Sequence, residues 1–148
     1  MKIKRIRIIK NEKGASAVEF ALILPILIML VFGIFQFGIA YNNYITITHA
    51  AREGARRAAV DLDPDDPSPL KQFIINRAKP TVTLTEDDIT IGTLTEDDII
   101  IDFPEDLKIG DPVVVIITYD ITIEIPFVGS WSIPLTSKAV MRLENYEY

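Results

Sequence analysis

An α+β fold, one long N-terminal helix laid on an antiparallel sheet, is what this 148-residue chain predicts, and three features predict it. Residues 20–41 (FALILPILIMLVFGIFQFGIAY) form an uncharged apolar run long enough for six turns of helix. Residues 42–60 then carry small and apolar side chains at spacings of three and four, opposite a charged face. Residues 113–125 and 135–143 alternate with period two, as half-buried antiparallel strands do.

The length suits one globular domain with an appendage. With 49% hydrophobic and 24% charged residues, the chain can bury a core. Having no cysteine, it cannot form disulfides, thiolate zinc sites, iron–sulfur clusters or a cysteine nucleophile. A single histidine, His49, leaves too few imidazoles for a His-rich metal site. It also disfavours a serine–histidine triad. A formal charge of −6 argues against a nucleic-acid footprint, so no nucleic-acid partner is expected. These exclusions point away from an enzyme.

The mean charge hides a division. Residues 1–14 carry Lys2, Lys4, Arg5, Arg7, Lys10 and Lys13 against Glu12 alone, giving +5, whereas residues 15–148 give −11. As a helix, the uncharged run 20–41 spans about 33 Å, enough for a hydrocarbon core of about 30 Å. Gln36 is its one strongly polar side chain. The basic cluster ahead of it predicts a single-pass protein of the cytoplasmic membrane, N-terminus in and the rest outside. Tyr41 and Tyr44 then fall at the outer interface, in contact with membrane lipid. A secretory signal peptide fits less well, since the run is long and YNNYITITHA lacks a small-x-small cleavage site. Glu19 is the anomaly, because a carboxylate carried deep into the bilayer costs about 2–3 kcal/mol. Either it lies at the interface and snorkels, or it has a partner.

Before the run stands Lys13-Gly14-Ala15-Ser16-Ala17-Val18-Glu19-Phe20: a basic leader, a glycine, four small or apolar residues, then Glu and Phe. With its continuation GASAVEFALILPILIMLVFGIFQFGIA, the segment HAAREGARRAA (49–59) and SKAVMRLE (137–144), the chain resembles the TadE-like pseudopilins and minor pilins of tight-adherence (Flp, type IV) pilus systems. The likeness is dense over residues 13–60 and looser over 135–144. It implies a pilin-like fold, no catalysis, and work in assembling a pilus or related secretion apparatus. It also implies a prepilin peptidase that cuts between Gly14 and Ala15, with other pilin or pseudopilin subunits and the assembly machinery as further partners. Glycine suits such a cut, since a backbone without a side chain can lie extended in a narrow site. After cleavage, the Ala15 ammonium of one subunit and Glu19 of another would pair, and register would be the gain more than stability. The alternative is an uncleaved single-pass protein whose outer β-rich domain binds a ligand or partner.

Beyond Tyr41 the helix is expected to continue, to about 69 Å over residues 15–60. Tyr41, Tyr44, Thr48, Ala51, Ala55, Ala58 and Leu62 make its inner face; His49, Arg52, Glu53, Arg56 and Arg57 make the polar one, with Glu53–Arg57 as an i,i+4 pair. Two rows of small residues, Ala50/Gly54/Ala58 and Ala51/Ala55/Ala59, permit close approach of another backbone, of a neighbour or of this chain's own sheet. Pro64 should end the helix. Asp61, Asp63, Asp65 and Asp66 echo a calcium loop. The pattern fails at Pro64, at Asp66 in the glycine position and at Gln72 in place of the closing glutamate, so calcium at Asp61, Asp63 and Asp65 is disfavoured and no cofactor is expected.

Residues 69–78 read as a short helix with Ser68 as N-cap. TLTEDDIT (83–90) and TLTEDDII (93–100) repeat with a ten-residue period, as a duplicated strand–turn unit with acidic turns at 86–88 and 96–98. Residues 126–132 (PFVGSWS) should connect the two clear strands, with Phe127 and Trp131 covering the end of the hairpin. Three segments result: a leader 1–14, a long helix 15–60, and an outer domain 61–148 that shares its core with 42–60.

Overall fold

The computed structural model describes residues 12–94, 100–101 and 107–144. One unbroken helix, α1 (Glu12–Ala58), runs for 47 residues through Pro25, about 70 Å. It begins three residues before the expected start, so Gly14 lies inside it. A turn closed by the Asp61 amide on the Arg57 carbonyl (2.9 Å) ends it ahead of Pro64.

The second helix, α2 (Ser68–Ala78), starts one residue earlier than expected, and Ser68 is not its cap. Instead the Ser68 amide donates to the Asp66 carboxylate at 3.1 Å, while Asp63 accepts from the amides of Asp65 and Asp66. Short acidic side chains thus fold the connection locally. Then follow a 3-10 turn (Glu86–Asp88) and the strands β1 (Ile89–Leu94), β2 (Ile100–Ile101), β3 (Pro112–Ile125) and β4 (Gly129–Arg142). They form an antiparallel sheet in the order β2-β1-β3-β4. The first TLTEDDI copy is turn then strand, closed by the Thr85 amide on Asp88 (2.6 Å). Its Glu86 is tied to α2, the carboxylate accepting from the Gln72 side-chain amide (2.7 Å) and the backbone carbonyl from Lys71 (3.3 Å). The second acidic turn lies outside the described residues.

Register places Ile91, Val115 and Ala139 in one row and Ile89, Ile117 and Ser137 in the next. This face packs on α1 and α2, with Ile47, Ala51, Ala55, Ile74, Val115 and Ile117 all fully buried. The alternation along β3 therefore has its physical cause in a sheet covered on that side by helices. The β3–β4 turn is tighter than expected, with Val128 donating to the Ile125 carbonyl (3.1 Å) and β4 resuming at Gly129. Phe127 takes φ 67 there and Gly129 φ 131, left-handed values natural for glycine and costly for phenylalanine by about 1–2 kcal/mol. Trp131 sits within β4, opposite Ile123. Phe127, 80% exposed, does not cover the end of the hairpin, and Trp131 is 41% exposed. β4 is an edge strand, and Pro134 and Lys138 on it discourage pairing with further strands.

Candidate assembly surface of the long helix

Two surfaces with opposite surroundings share α1. In its first half, the most apolar stretch has no buried residue, and Leu22, Ile26, Phe35 and Phe37 stand fully clear of the rest of the chain. The helix is long and apolar enough to cross a membrane. Ala15 and Glu19 are both exposed on this half, four residues apart and so one turn apart on one face. Gly14 is partly covered within the first turns.

In the second half the small-residue rows are inside. Ala50, Ala51, Ala55 and Ala58 are fully buried, Ala59 nearly so, and Gly54 lies among them. A β-carbon on Gly54 would meet Cγ1 and Cδ1 of Ile74 at 2.6 Å and Cγ1 of Val115 at 3.6 Å. The absent side chain is what lets α1, α2 and β3 meet at one point. Of the two partners left open by the sequence, the subunit's own α2 and sheet occupy these rows.

The buried stripe is rotated from the expected one at the end nearer the apolar half. Tyr41 and Tyr44 are exposed, and Asn43 and Ile47 are buried in their stead. The spacing 43, 47, 50/51, 54, 58 was legible as an i,i+4 series, but Asn43 broke its apolar reading. The polar face also pairs differently. Arg56, not Arg57, forks onto Glu53 (2.8 and 3.2 Å), and those hydrogen bonds, with some help from Arg77, hold the Glu53 carboxyl below its ordinary range. Its contribution to stability is therefore present above the usual glutamate range and is lost as pH falls through the lowered value. Arg57 instead pairs with Asp61 (2.9 Å) and stacks 4.9 Å from the Phe73 ring.

Polar contacts lock the helix to the hairpin at two heights. Ser137 Oγ donates to Thr48 Oγ1 at 3.2 Å, and Thr48 in turn donates to the Tyr44 carbonyl at 2.8 Å. Further toward the N-terminus, the Gln36 side-chain amide donates to the Glu124 carbonyl at 3.2 Å. The sequence signalled neither contact, since each joins residues more than eighty positions apart. Among the described residues no group of acidic or histidine side chains is arranged to hold a metal.

Residues 14–56 match the family model described as TadE-like protein. This stretch is TadE-like. The match spans the Gly14–Glu19 motif, the bare apolar half and most of the buried small-residue rows, in agreement with the resemblance drawn from the motifs. The match is confined to this segment, 43 of the 148 residues. No curated protein and no solved structure matches the chain.

The Gly54 contact makes a testable claim. Gly54→Ala should destabilise the fold by about 1–3 kcal/mol through overpacking. Ile74→Ala should cost about 2–5 kcal/mol by leaving a cavity. Together they should cost clearly less than the sum, because each relieves the other. Denaturant titrations of monomeric protein in detergent measure this; strict additivity would mean that the TadE-like helix and α2 do not meet at Gly54.

Proposed function

We propose that this protein is a membrane-anchored pseudopilin or minor pilin of a tight-adherence pilus or related secretion apparatus, working by packing rather than by catalysis. The observation that carries the reading is the split of one TadE-like helix. The small-residue face of its outer half is covered by its own domain, and its inner half is apolar, without a buried residue in its most apolar stretch and as long as a bilayer is thick, touched by the hairpin only near Phe32 and Gln36. In this reading the bare half spans the cytoplasmic membrane with the basic N-terminus inside, and presents its surface to lipid and then to other subunits.

A prepilin peptidase would cut between Gly14 and Ala15. Both residues are helical, so the first turns must open to enter an extended binding site. This opening is cheap: the first four amides of a helix lack intrahelical partners, and Gly14 weakens the turn by about 1 kcal/mol relative to alanine. Removal of six of the fifteen basic residues leaves the mature chain at −11. The new ammonium on Ala15 sits one turn from Glu19, so two subunits displaced along their axes by about one turn bring the carboxylate of one level with the terminus of the other. Neutralisation inside a low-dielectric bundle offsets the burial of Glu19, and any other register leaves it unpaired.

Intact mass of the membrane-extracted protein from its native host should correspond to a chain beginning at Ala15, and Gly14→Leu should retain the leader while still inserting. Finding the leader on the wild-type protein would instead favour an uncleaved single-pass protein with an outer binding domain.

Glu19→Gln tests the register. A neutral amide is easier to bury than a carboxylate, so the variant should insert and be cut. It should then be lost from its complex, since the neighbour's buried ammonium is left without a counter-charge, a loss of roughly 3–5 kcal/mol. Undiminished co-purification of Glu19→Gln with the assembly proteins would show that Glu19 only snorkels.

A further inference from the structure

We propose that the β3–β4 hairpin tip, centred on Phe127, Val128 and Trp131, is a lipid-inserted wedge that enters the outer leaflet beside α1. This inference rests on the membrane-anchored reading of α1. Hydropathy places residues 20–41 in the bilayer, yet the hairpin reaches well down that segment. Gln36 holds the Glu124 carbonyl, and Phe32 and Gln36 form one cleft with Ile125, Pro126 and Gly129.

A second contact gives the same depth independently. Thr48 is level with Ser137, and Trp131 lies six residues further along β4, about 20 Å. The same distance along the helix is about thirteen residues, which sets Trp131 near Phe35, roughly 9 Å below Tyr41. Phe127 and Val128 lie deeper still, toward Phe32.

The chemistry of the tip matches that location. Residues 125–137 (IPFVGSWSIPLTS) carry no charge; Lys138 lies at the far end of β4, and the exposed Glu124, which faces Ser130 across the hairpin, must snorkel toward the headgroups. Phe127 is 80% and Val128 59% exposed, and Trp131 keeps 41% of its surface free. A phenylalanine held at φ 67 at the apex of a turn, with its ring turned outward, is an unfavourable choice in water. It is a favourable one against acyl chains. Trp131, amphipathic and slightly higher, suits the boundary of headgroups and chains. The tip would also fix the helix in depth and rotation, since a hairpin on one side of α1 leaves only the remaining faces free for neighbours.

Trp131 is the chain's one tryptophan and reports its own surroundings. The full-length chain is reconstituted into phosphatidylcholine/phosphatidylglycerol vesicles with and without brominated acyl chains. Expected are vesicle co-flotation, blue-shifted emission, and loss of emission with brominated lipid that does not change on diluting protein in lipid. Moving the reporter (Trp131→Phe with Phe127→Trp) should shift the strongest quenching toward bromines deeper in the leaflet. Val128→Asp should weaken quenching while flotation persists. Flotation with water-like, unquenched Trp131 would overturn the wedge but leave the anchor standing. Emission that is blue-shifted yet unquenched, and that reverts on dilution, would assign the tip to a protein surface and likewise overturn the proposal. Failure to float would remove the anchor and the wedge together.

Discussion

The close approach of α1 to α2 and the sheet at Gly54 is the contact on which the remaining structure depends. A 47-residue helix has no reason of its own to hold a small domain against one half and not the other. Hydrophobic burial needs contact area, and a helix whose inner stripe is alanine and glycine gains area only by bringing neighbouring backbones close. At Gly54 the missing side chain admits Ile74, and the fully buried Ala51, Ala55 and Ala58 let Val115 and Ile117 of β3 press against the same stripe. The sheet thereby gains the cover its alternating pattern requires, and α2 is locked between the helix and the 86–88 turn.

From this anchor point β3 and β4 run back along the helix toward its apolar half. The Ser137–Thr48 and Gln36–Glu124 contacts set the two elements parallel over a considerable length. The long hairpin consequently ends beside residues that on composition alone belong to a membrane span. Domain and candidate membrane span overlap along α1 instead of following each other. An assembly in which neighbours pack through the bare half must accommodate the hairpin on one side.

The sequence revealed its elements in proportion to how local their causes are. The apolar run, the break before Pro64 and the alternation of 113–125 follow from neighbouring residues, and all three are present as expected. Rotation of the outer helix was harder to read. Tyr41 and Tyr44 resemble core residues by hydropathy, but the stripe passes through Asn43 and Ile47, because the sheet lies on that side. Glu53 chose Arg56 over Arg57 for a similar reason: Phe73 and Asp61 occupy Arg57. Gly14, Ala15 and Glu19 stand out by motif spacing alone, and they fall within the segment that the family model matches. Gln36 looked like an isolated polar residue in an apolar run. Its partner is a backbone carbonyl 88 positions away, which no local pattern announces.

The central claim is that the small-residue rows of the outer helix are sealed by the subunit itself rather than by other subunits. A cysteine-free chain permits a direct measurement. Single cysteines at His49, Ala51, Arg52, Ala55 and Ala58 are exposed to a water-soluble maleimide in dilute, monomeric, detergent-held protein. The account predicts rapid labelling at positions 49 and 52, with none at 51, 55 and 58 until the protein is denatured. Labelling of 51, 55 and 58 in the monomer, with protection only when other subunits are present, would contradict it and make these rows an intersubunit surface.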